Sequence, residues 1–135
     1  MDCIFCQIAA GKIPSVKVYE DEEVLAFLDI RPISDGHTLV VPKRHFGTLD
    51  ECDPDVLAAL VCRLKTIAKA VQQTAASEGY NVLCNNGKAA GQIVEHLHFH
   101  IIPRNLGDGV LKKWDHYEYP EGKAEKLAEK IRQKL

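Results

Sequence analysis

The chain has 135 residues and a mass of 15.0 kDa, enough for one domain with a buried core and too little for two. It contains 27% charged and 46% hydrophobic residues, as ordinary globular proteins do, and no apolar run approaches the roughly 20 residues of a membrane-spanning helix. A formal net charge of -2 argues against a long nucleic acid as partner, because clusters of lysine and arginine hold such ligands.

The amino-terminal segment and the cysteine content indicate the compartment. MDCIFCQIAAGKIP has neither the basic start nor the long apolar stretch of a secretory signal. Five cysteines are an odd number, which fits metal ligands or buried thiols better than a disulfide framework. We therefore expect a cytoplasmic protein without a membrane partner.

The first half of the chain predicts a β-hairpin, a third strand and one long helix. Segments rich in β-forming residues at about 16–19 and 24–28 flank an acidic turn, and GHTLVVPK follows as the third strand. The helix is predicted over 54–75, because Pro54 suits a first helical position and apolar residues then recur at steps of three and four.

The second half predicts two more strands and a short final helix. GYNVLCN and HLHFHII have the composition of strands, and the small-residue loop NNGKAAGQIVE joins them. The carboxyl-terminal segment EGKAEKLAEKIRQKL places four apolar residues on one helical stripe: Ala124, Leu127, Ile131 and Leu135. The element order β-β-β-α-β-β predicts an α+β fold in which an antiparallel sheet carries a helix.

Three of the six histidines stand at alternate positions in EHLHFHIIPR: His96, His98 and His100. On a strand the three imidazoles share one face, and the apolar residues between them fill the other. Chance alignment is one explanation, and a zinc ion bound to the row is a second. The third is nucleophilic catalysis, in which a neutral imidazole attacks phosphorus while its neighbours bind phosphate oxygens or protonate the leaving group.

Two further segments favour phosphate chemistry. The loop NNGKAAGQ enters the histidine segment, and its glycines allow backbone N–H groups to approach an anion closely. The segment HTLVVPKRH adds His37 at the start of another strand and His45 just beyond its end.

The segments FLDIRPISDGHTLVVPKRH, NNGKAAGQ and HLHFHII together resemble, in order and spacing, the three blocks of the histidine triad nucleotide-binding proteins. The resemblance runs from about Cys3 to Arg104. It implies a five-stranded antiparallel sheet with one main helix and short helices near both ends, commonly paired with a second subunit in a homodimer. We expect a single domain over 1–135, with a core at about 3–104 and a carboxyl-terminal extension at 105–135.

The resemblance also implies catalytic roles, for His98, His100, His96 and His37. His98 matches the nucleophile, which forms a nucleotidyl-imidazole intermediate that water then cleaves. His100 matches the residue that contacts the α-phosphate, and His37 matches a histidine that supports the row.

The same resemblance implies a substrate-binding set, which comprises Asp29, Asn85, Gly91, Gln92 and Ile93 together with His98 and His100. Asp29 matches the residue on the ribose hydroxyls, and a carboxylate can accept from both. Asn85 and Gln92 match polar residues that face the phosphates. Many members have Ser or Thr at the position of Ile93, so only the backbone N–H of Ile93 can serve here.

Cys3 and Cys6 form a Cys-x-x-Cys, which is half of a tetrahedral zinc site. The alternative is that they are two small apolar residues of a short first helix. The chain resembles a bacterial-type branch of the family in which this pair, the histidine after VPK and the first triad histidine surround a structural zinc. By that match the ligands are Cys3, Cys6, His45 and His96, and the closed site leaves no coordination position for water.

The expected function is a nucleotide hydrolase or nucleotidyltransferase. It would act at the α-phosphate of a purine nucleoside phosphoramidate or a dinucleoside polyphosphate and release a nucleoside monophosphate. Two alternatives stay open: a metal-dependent hydrolase with zinc on the histidine row, and a nucleotide-binding or scaffold protein without physiological catalysis. The base pocket is expected to consist of apolar side chains such as Ile4, Phe5, Ile8 and Leu28.

Overall fold

A computed structural model describes residues 2–111 and 114–135. Its centre is a five-stranded antiparallel sheet with the strand order β1-β2-β3-β5-β4. The strands are β1 (Lys17–Glu20), β2 (Val24–Leu28), β3 (Thr38–Pro42), β4 (Gly79–Leu83) and β5 (Phe99–Arg104). The helices are α1 (Ile4–Ala9), α2 (Pro54–Ala75) and α3 (Lys123–Arg132). The predicted α+β fold, with one long helix and short helices near both ends, is confirmed.

The long helix α2 has the predicted bounds. It begins at Pro54, whose missing N–H costs nothing in the first turn, and the N–H of Leu57 donates to the carbonyl of Asp53. It ends at Ala75, and the next residue, Ala76, caps it in the left-handed conformation with φ of 52°. Its apolar stripe is buried against the sheet. Within the described part of the chain, none of the helices combines the length and apolar character that crossing a bilayer requires.

Both faces of the central strands are covered. Val24, Ala26 and Val40 pack toward α2, whereas the alternate residues Leu25, Phe27, Leu39 and Val41 form a second cluster with Phe5 and Ile8 of α1. A strand that is buried on two sides has a continuous apolar sequence, as VLAFL in β2 shows. The two clusters assign α2 to one face of the sheet and α1 to the other.

The segment HLHFHII is only partly a strand, so the prediction of one strand across all three histidines is wrong. β5 begins at Phe99 and includes His100, whereas His96 and His98 precede it. The N–H of His96 donates to the carbonyl of Val94 at 2.8 Å, and the N–H of Leu97 donates to that of Phe46 at 2.7 Å. Because these two N–H groups bind carbonyls outside the sheet, the backbone at His96 and Leu97 does not join the hydrogen bonds between strands.

The alternation of faces nevertheless extends beyond the strand. Leu97 and Ile101 lie in the core beneath α2, and Phe99 packs against it. The rings of His98 and His100 lie next to each other, with centroids 5.0 Å apart. The predicted separation into an apolar face and a histidine face is therefore confirmed for these two histidines.

Candidate active site and metal site

Strand pairing brings Asp29, His37 and His100 together. Asp29 directly follows β2 and His37 directly precedes β3, so the antiparallel pairing of these strands sets the two residues opposite each other. The N–H of Asp29 donates to the carbonyl of His37 at 2.9 Å. On the other side, β3 pairs with β5, which places His100 beside Leu39. Residues from three separate parts of the sequence thus meet at one end of β3.

Backbone contacts determine which ring nitrogen of His37 carries the proton. The N–H of Ile33 donates to Nδ1 of His37 at 3.2 Å, so that nitrogen is an acceptor. The proton of the neutral ring therefore resides on Nε2, which lies 2.9 Å from Nδ1 of His100. His37 donates this hydrogen bond, and the neutral ring of His100 consequently carries its own proton on Nε2.

The backbone determines the opposite tautomer for His98. Its Nδ1 lies 2.6 Å from the carbonyl oxygen of His96, which can only accept, so Nδ1 carries the proton. Nε2 of His98 is left with a free lone pair. Of two adjacent imidazoles, His98 thus presents a nucleophilic nitrogen at Nε2 and His100 presents an N–H donor at the same ring position.

Burial keeps these histidines neutral. Desolvation lowers the pKa values of His37 and His98 below the ordinary value of 6.5, against the opposing charge of Asp29. For His100, burial is again the largest cause, and repulsion by His98 and His37 adds to it, so its pKa falls to about 4. Neutral rings at pH 7 are what a nucleophile and a hydrogen-bond donor require.

The carboxylate of Asp29 is held at one oxygen. Its Oδ1 accepts from the N–H of Arg31 at 2.9 Å, and its Oδ2 lies 3.7 Å from Nε2 of His37. Ligand atoms of Asp29, His37 and His100 lie within 4.8 Å of one another, as in a small metal site. However, a proton on Nε2 of His37 already joins the two rings. The geometry therefore favours a hydrogen-bonded cluster over a second cation site.

In the loop after β4, the side chain of Gln92 binds protein backbone, whereas the resemblance implied that it faces the phosphates. Gln92 is only 7% exposed, and both ends of its amide bind backbone. Its Oε1 accepts from the N–H of Gly87 at 2.8 Å, and its Nε2 donates to the carbonyls of Gly47 at 2.7 Å and Val94 at 3.1 Å. In this structure the side chain braces the loop, because its hydrogen bonds connect Gly87 to Gly47 and Val94. Both ends of the amide are thus hydrogen-bonded within the protein.

Other predicted loop residues remain accessible. Gly91 has φ of +90°, a conformation that favours glycine, and a Cβ built there would lie 3.5 Å from Nδ2 of Asn85. The structure therefore brings Asn85 and Gly91 together. The side chain of Ile93 is exposed, which is consistent with a contribution from its backbone alone.

The expected apolar surroundings need one correction. Phe5 and Ile8 lie on the histidine side, where the ring of Phe5 meets that of His98 edge-on with centroids 5.1 Å apart. Leu28 points to the α2 side and lines a separate cavity, so its assignment beside Phe5 is wrong. The residue that sequence analysis missed is Phe27, whose ring lies 5.4 Å from that of Phe5. Strict alternation from Leu25 would have identified it.

Four side chains from distant parts of the sequence converge in a second cluster: Cys3, Cys6, His45 and His96. Nδ1 of His96 lies 3.3 Å from Sγ of Cys3, 3.6 Å from Sγ of Cys6 and 3.2 Å from Nδ1 of His45. Tetrahedral zinc ligands, with nitrogen at ~2.0 Å and sulfur at ~2.3 Å from the ion, lie about 3.3 to 3.8 Å from one another. The spacing and the donor types fit zinc.

The surroundings orient the ligands. Nε2 of the buried His96 donates to the carbonyl of Pro42 at 2.8 Å, which leaves the lone pair of Nδ1 directed at the cluster. Without a metal, burial and then the hydrogen bond with Cys3 raise the pKa of Cys6 to about 11. A cation is therefore needed to hold Cys6 as the thiolate that coordinates.

Comparison with known proteins places the chain in a family. Residues 10–107 match the model of the HIT domain. The chain belongs to the HIT family. The adenosine 5'-monophosphoramidase hnt1 of Schizosaccharomyces pombe is 43% identical over 136 residues, which cover 100% of this chain and 99% of that protein.

Two solved structures extend the comparison. A protein from Streptococcus mutans UA159 is 44% identical, with a TM-score of 0.94 over 98% of this chain and 85% of that one. A Zn-bound histidine triad family protein from Mycobacterium smegmatis is 41% identical, with a TM-score of 0.78 over 85% of this chain and 84% of that one. The zinc of that relative and the Cys/His cluster of this chain both indicate zinc binding.

Proposed function

We propose that this HIT protein hydrolyses or transfers nucleotidyl groups at the α-phosphate of purine nucleoside phosphoramidates or dinucleoside polyphosphates, with release of a nucleoside monophosphate. The opposite tautomers of His98 and His100 carry the proposal. A free lone pair and an N–H donor at neighbouring ring positions suit attack on phosphorus beside an anionic oxygen. The similarity to an adenosine 5'-monophosphoramidase supports the purine nucleotide as substrate class.

In the first step Nε2 of His98 attacks the α-phosphorus. As the N–P bond forms, the bond to the leaving group breaks, and the leaving group keeps that electron pair and takes a proton from solvent. The imidazole gains positive charge, which the carbonyl of His96 stabilises through the Nδ1 hydrogen bond. Nε2–H of His100 donates to a non-bridging phosphate oxygen, while His37 holds that ring. Water then attacks phosphorus and releases a proton to solvent, the N–P bond breaks, and its electron pair returns to His98.

The other proposed contacts bind the nucleoside and the phosphates. Oδ2 of Asp29 faces the cluster and can accept from the ribose hydroxyls, because Arg31 already occupies Oδ1. Phe5 and Phe27 offer an apolar surface for the base on the same side of the sheet. Asn85 and the backbone of Gly91 and Ile93 would receive the phosphates, with Gln92 acting through the loop it braces.

We further propose that Cys3, Cys6, His45 and His96 hold a structural zinc ion. When bound, the ion would join the amino-terminal segment to the sheet without acting as a Lewis acid, since four protein ligands leave no open position. The chain's own part is to supply the ligands and to fix the ring of His96 through Pro42. The hydrogen bond between His37 and His100 weighs against the alternative of a metallohydrolase.

We also propose a homodimer formed through the free edge of the sheet. β4 is an outer strand, and the side chains of Tyr80 and Val82 are exposed on it. An edge strand with unpaired backbone groups and exposed apolar side chains is a template for pairing with a second copy. Light scattering during size-exclusion chromatography would test this: a dimer is expected for the parent and a monomer for Val82→Pro, which removes a backbone donor.

The deciding experiment is a substrate panel. The purified protein is incubated with adenosine and guanosine phosphoramidates, dinucleoside polyphosphates and nucleotide sugars, and the released monophosphate is quantified. A trapped phosphorus–histidine adduct, located on His98 by mass spectrometry, is expected for at least one substrate. Tight nucleotide binding without turnover of any compound would instead support the scaffold alternative.

A further inference from the structure

The two thiols of the Cys-x-x-Cys pair lie close enough to bond to each other as well as to a metal. Their sulfur atoms belong to the cluster whose ligand atoms all lie within 4.8 Å of one another. Cys3 caps the start of α1, and its Sγ accepts from the N–H of Cys6 at 3.4 Å. In a helical turn, residues three apart have Cα atoms about 5 Å apart, which is within the range of a disulfide. The backbone therefore already has a spacing that suits a bond between Cys3 and Cys6.

Solvent reaches both residues of the pair. Cys3 and Cys6 are free thiols of intermediate exposure, whereas Cys52 is buried in the core. Oxidation of cysteine depends on access of the oxidant to a thiolate, the form of cysteine that also binds zinc. A small soluble oxidant can therefore reach the proposed metal ligands without opening the core.

His96 connects the pair to the proposed nucleophile. Its buried ring places Nδ1 3.3 Å from Sγ of Cys3 and 3.6 Å from Sγ of Cys6. The carbonyl oxygen of the same residue accepts the 2.6 Å hydrogen bond from Nδ1 of His98. A displacement of His96 therefore alters the hydrogen bond that determines the tautomer of His98.

Phe5 provides a second connection, because it stands between the two cysteines in sequence. Its buried ring meets the ring of His98 edge-on, with centroids 5.1 Å apart, and that of His96 at 5.8 Å. Phe5 belongs to the first turn of α1, which a bond between the cysteines would tighten. A change at the pair thus reaches His98 both through the backbone of His96 and through the ring of Phe5.

We propose that Cys3 and Cys6 form a reversible redox switch, in which hydrogen peroxide converts the thiolates to a disulfide and thereby changes the surroundings of His98. A disulfide sulfur lacks the charge with which a thiolate coordinates, so the oxidised pair releases the proposed zinc ion. The inference rests on the proposed zinc site and, for its effect on turnover, on the proposed role of His98.

The oxidation is balanced by the peroxide. The first thiolate attacks a peroxide oxygen and becomes a sulfenic acid, while the O–O bond breaks and hydroxide leaves. The second thiolate attacks the sulfenic sulfur, the S–S bond forms and a second hydroxide leaves. Both hydroxides take protons from solvent and become water. The cysteine pair loses the two electrons that the peroxide gains, and a dithiol reductant returns them by thiol–disulfide exchange.

Peroxide titration of the zinc-loaded protein tests the switch. A chromogenic chelator follows zinc release, and mass spectrometry after alkylation locates the disulfide. A bond between Cys3 and Cys6 is expected with release of about one zinc ion per disulfide, and dithiothreitol with added zinc should reverse both changes. The matched control is Cys62→Ser, which removes an exposed thiol of α2 and should respond as the parent does.

Oxidation of the cysteines to sulfonic acids without a disulfide, or a response that disappears in Cys62→Ser, would overturn the switch. Disulfide mapping gives its answer even for a reduced protein that binds no zinc. In that case the metal site alone would fail.

Nuclear magnetic resonance of the histidine rings tests the transmission to His98 and needs no substrate. The ring signals of His98, assigned from their loss in His98→Asn, should shift on oxidation and return on reduction, while circular dichroism shows that the fold is retained. Turnover should fall by ~10- to 100-fold at most, as for a displaced outer support. Unchanged His98 signals in the fully oxidised protein would overturn the transmission. A reversible shift in a protein that turns over no nucleotide would support the switch and refute the enzymatic function.

Discussion

The ring of His98 donates a hydrogen bond from Nδ1 to the carbonyl oxygen of His96, 2.6 Å away. His96 turns its own ring toward the cysteine pair, with Nδ1 3.3 Å from Sγ of Cys3. A single residue thus supports the proposed nucleophile through its backbone and the proposed metal site through its side chain. The three histidines of the row accordingly have different tasks, although the sequence presents them as equivalent.

We predict that His98→Ala abolishes turnover and leaves nucleotide binding largely intact. The substitution removes the attacking nitrogen, whereas the proposed ribose and phosphate contacts come from Asp29, His100 and the loop. Loss of a nucleophile costs orders of magnitude in rate, and single-turnover kinetics together with calorimetric titration would measure both quantities.

The matched control for that experiment is His116→Ala, which removes an exposed histidine outside the candidate site. It should turn over at the parental rate. If His98→Ala retains a rate within about tenfold of the parent, equivalent to ~1.4 kcal/mol in the barrier, His98 is not the nucleophile.

Acid should inactivate the chemical step. Only neutral His98 can attack, and burial lowers its pKa below the ordinary value of 6.5. The single-turnover rate should therefore be constant from about pH 8 to neutrality and fall only in acid more extreme than the ordinary histidine pKa of ~6.5. A rate, corrected for uncatalysed hydrolysis, that increases continuously from pH 8 to 5 would contradict a neutral imidazole nucleophile.

The same acid should weaken the fold. Buried His100 has a pKa of about 4, whereas an unfolded chain restores the ordinary value of 6.5. Between these values the unfolded state binds more protons, so the free energy of unfolding falls as the pH falls. Urea denaturation at pH 7, 6 and 5 would measure this dependence, and it should become shallower in His100→Asn. An equal slope in both proteins would show that His100 does not cause it.

Replacing the cysteine pair, Cys3→Ser with Cys6→Ser, should remove zinc and lower the thermal midpoint of unfolding. Ligand binding to the folded state contributes directly to stability. Turnover per folded molecule should fall less than in His98→Ala, by ~10- to 100-fold at most, because His96 loses its outer support two residues from the nucleophile. Elemental analysis of protein purified without a histidine tag provides the zinc content.

Two control variants are needed to interpret the zinc content of the cysteine variant. Cys62→Ser, at an exposed cysteine outside the cluster, should retain about one zinc per chain, as should His98→Ala. Zinc lost specifically with His98 would point to the metallohydrolase. A parent protein without zinc, even after incubation with the metal, would leave Cys3 as the N-cap of α1 and Cys6 as an ordinary residue of that helix.

Gln92→Ala should destabilise the protein by about 1 to 3 kcal/mol, because it removes three hydrogen bonds from a buried side chain to part-buried backbone groups. The side chain satisfies the N–H of Gly87 and the carbonyls of Gly47 and Val94. Gln133→Ala, at the exposed residue that follows α3, should change stability by less than about 0.5 kcal/mol in the same denaturation experiment. Equal effects of the two substitutions would contradict the bracing role.

The features that sequence analysis placed correctly depend on local chemistry. Pro54 and the apolar spacing that follows it set the limits of α2. The start of a helix and its apolar stripe depend on residues that are close together in sequence. The strand boundary at Phe99 was not accessible in this way. Alternation in HLHFHII shows which face a side chain takes, but the partners of its backbone, such as the carbonyl of Phe46, lie far away in sequence.

The same distinction applies to the candidate site. Family resemblance assigned His37 and His100 to the same site, and pairing of β3 with β5 brings them within 2.9 Å. Their tautomers were beyond prediction, because the N–H of Ile33 decides them. The task of Gln92 was equally hidden, since its amide binds Gly47, which stands 45 positions away.

The contact between Cys3 and His96 joins positions 93 apart in sequence. During synthesis on the ribosome the cysteine pair emerges well before His96, which becomes available only after the hairpin, α2 and β4 have been made. The complete ligand set can therefore form only late in folding, so stable zinc loading would mark chains that have already assembled their sheet. Closing so long a loop also removes more freedom from the unfolded chain than a local metal clip would.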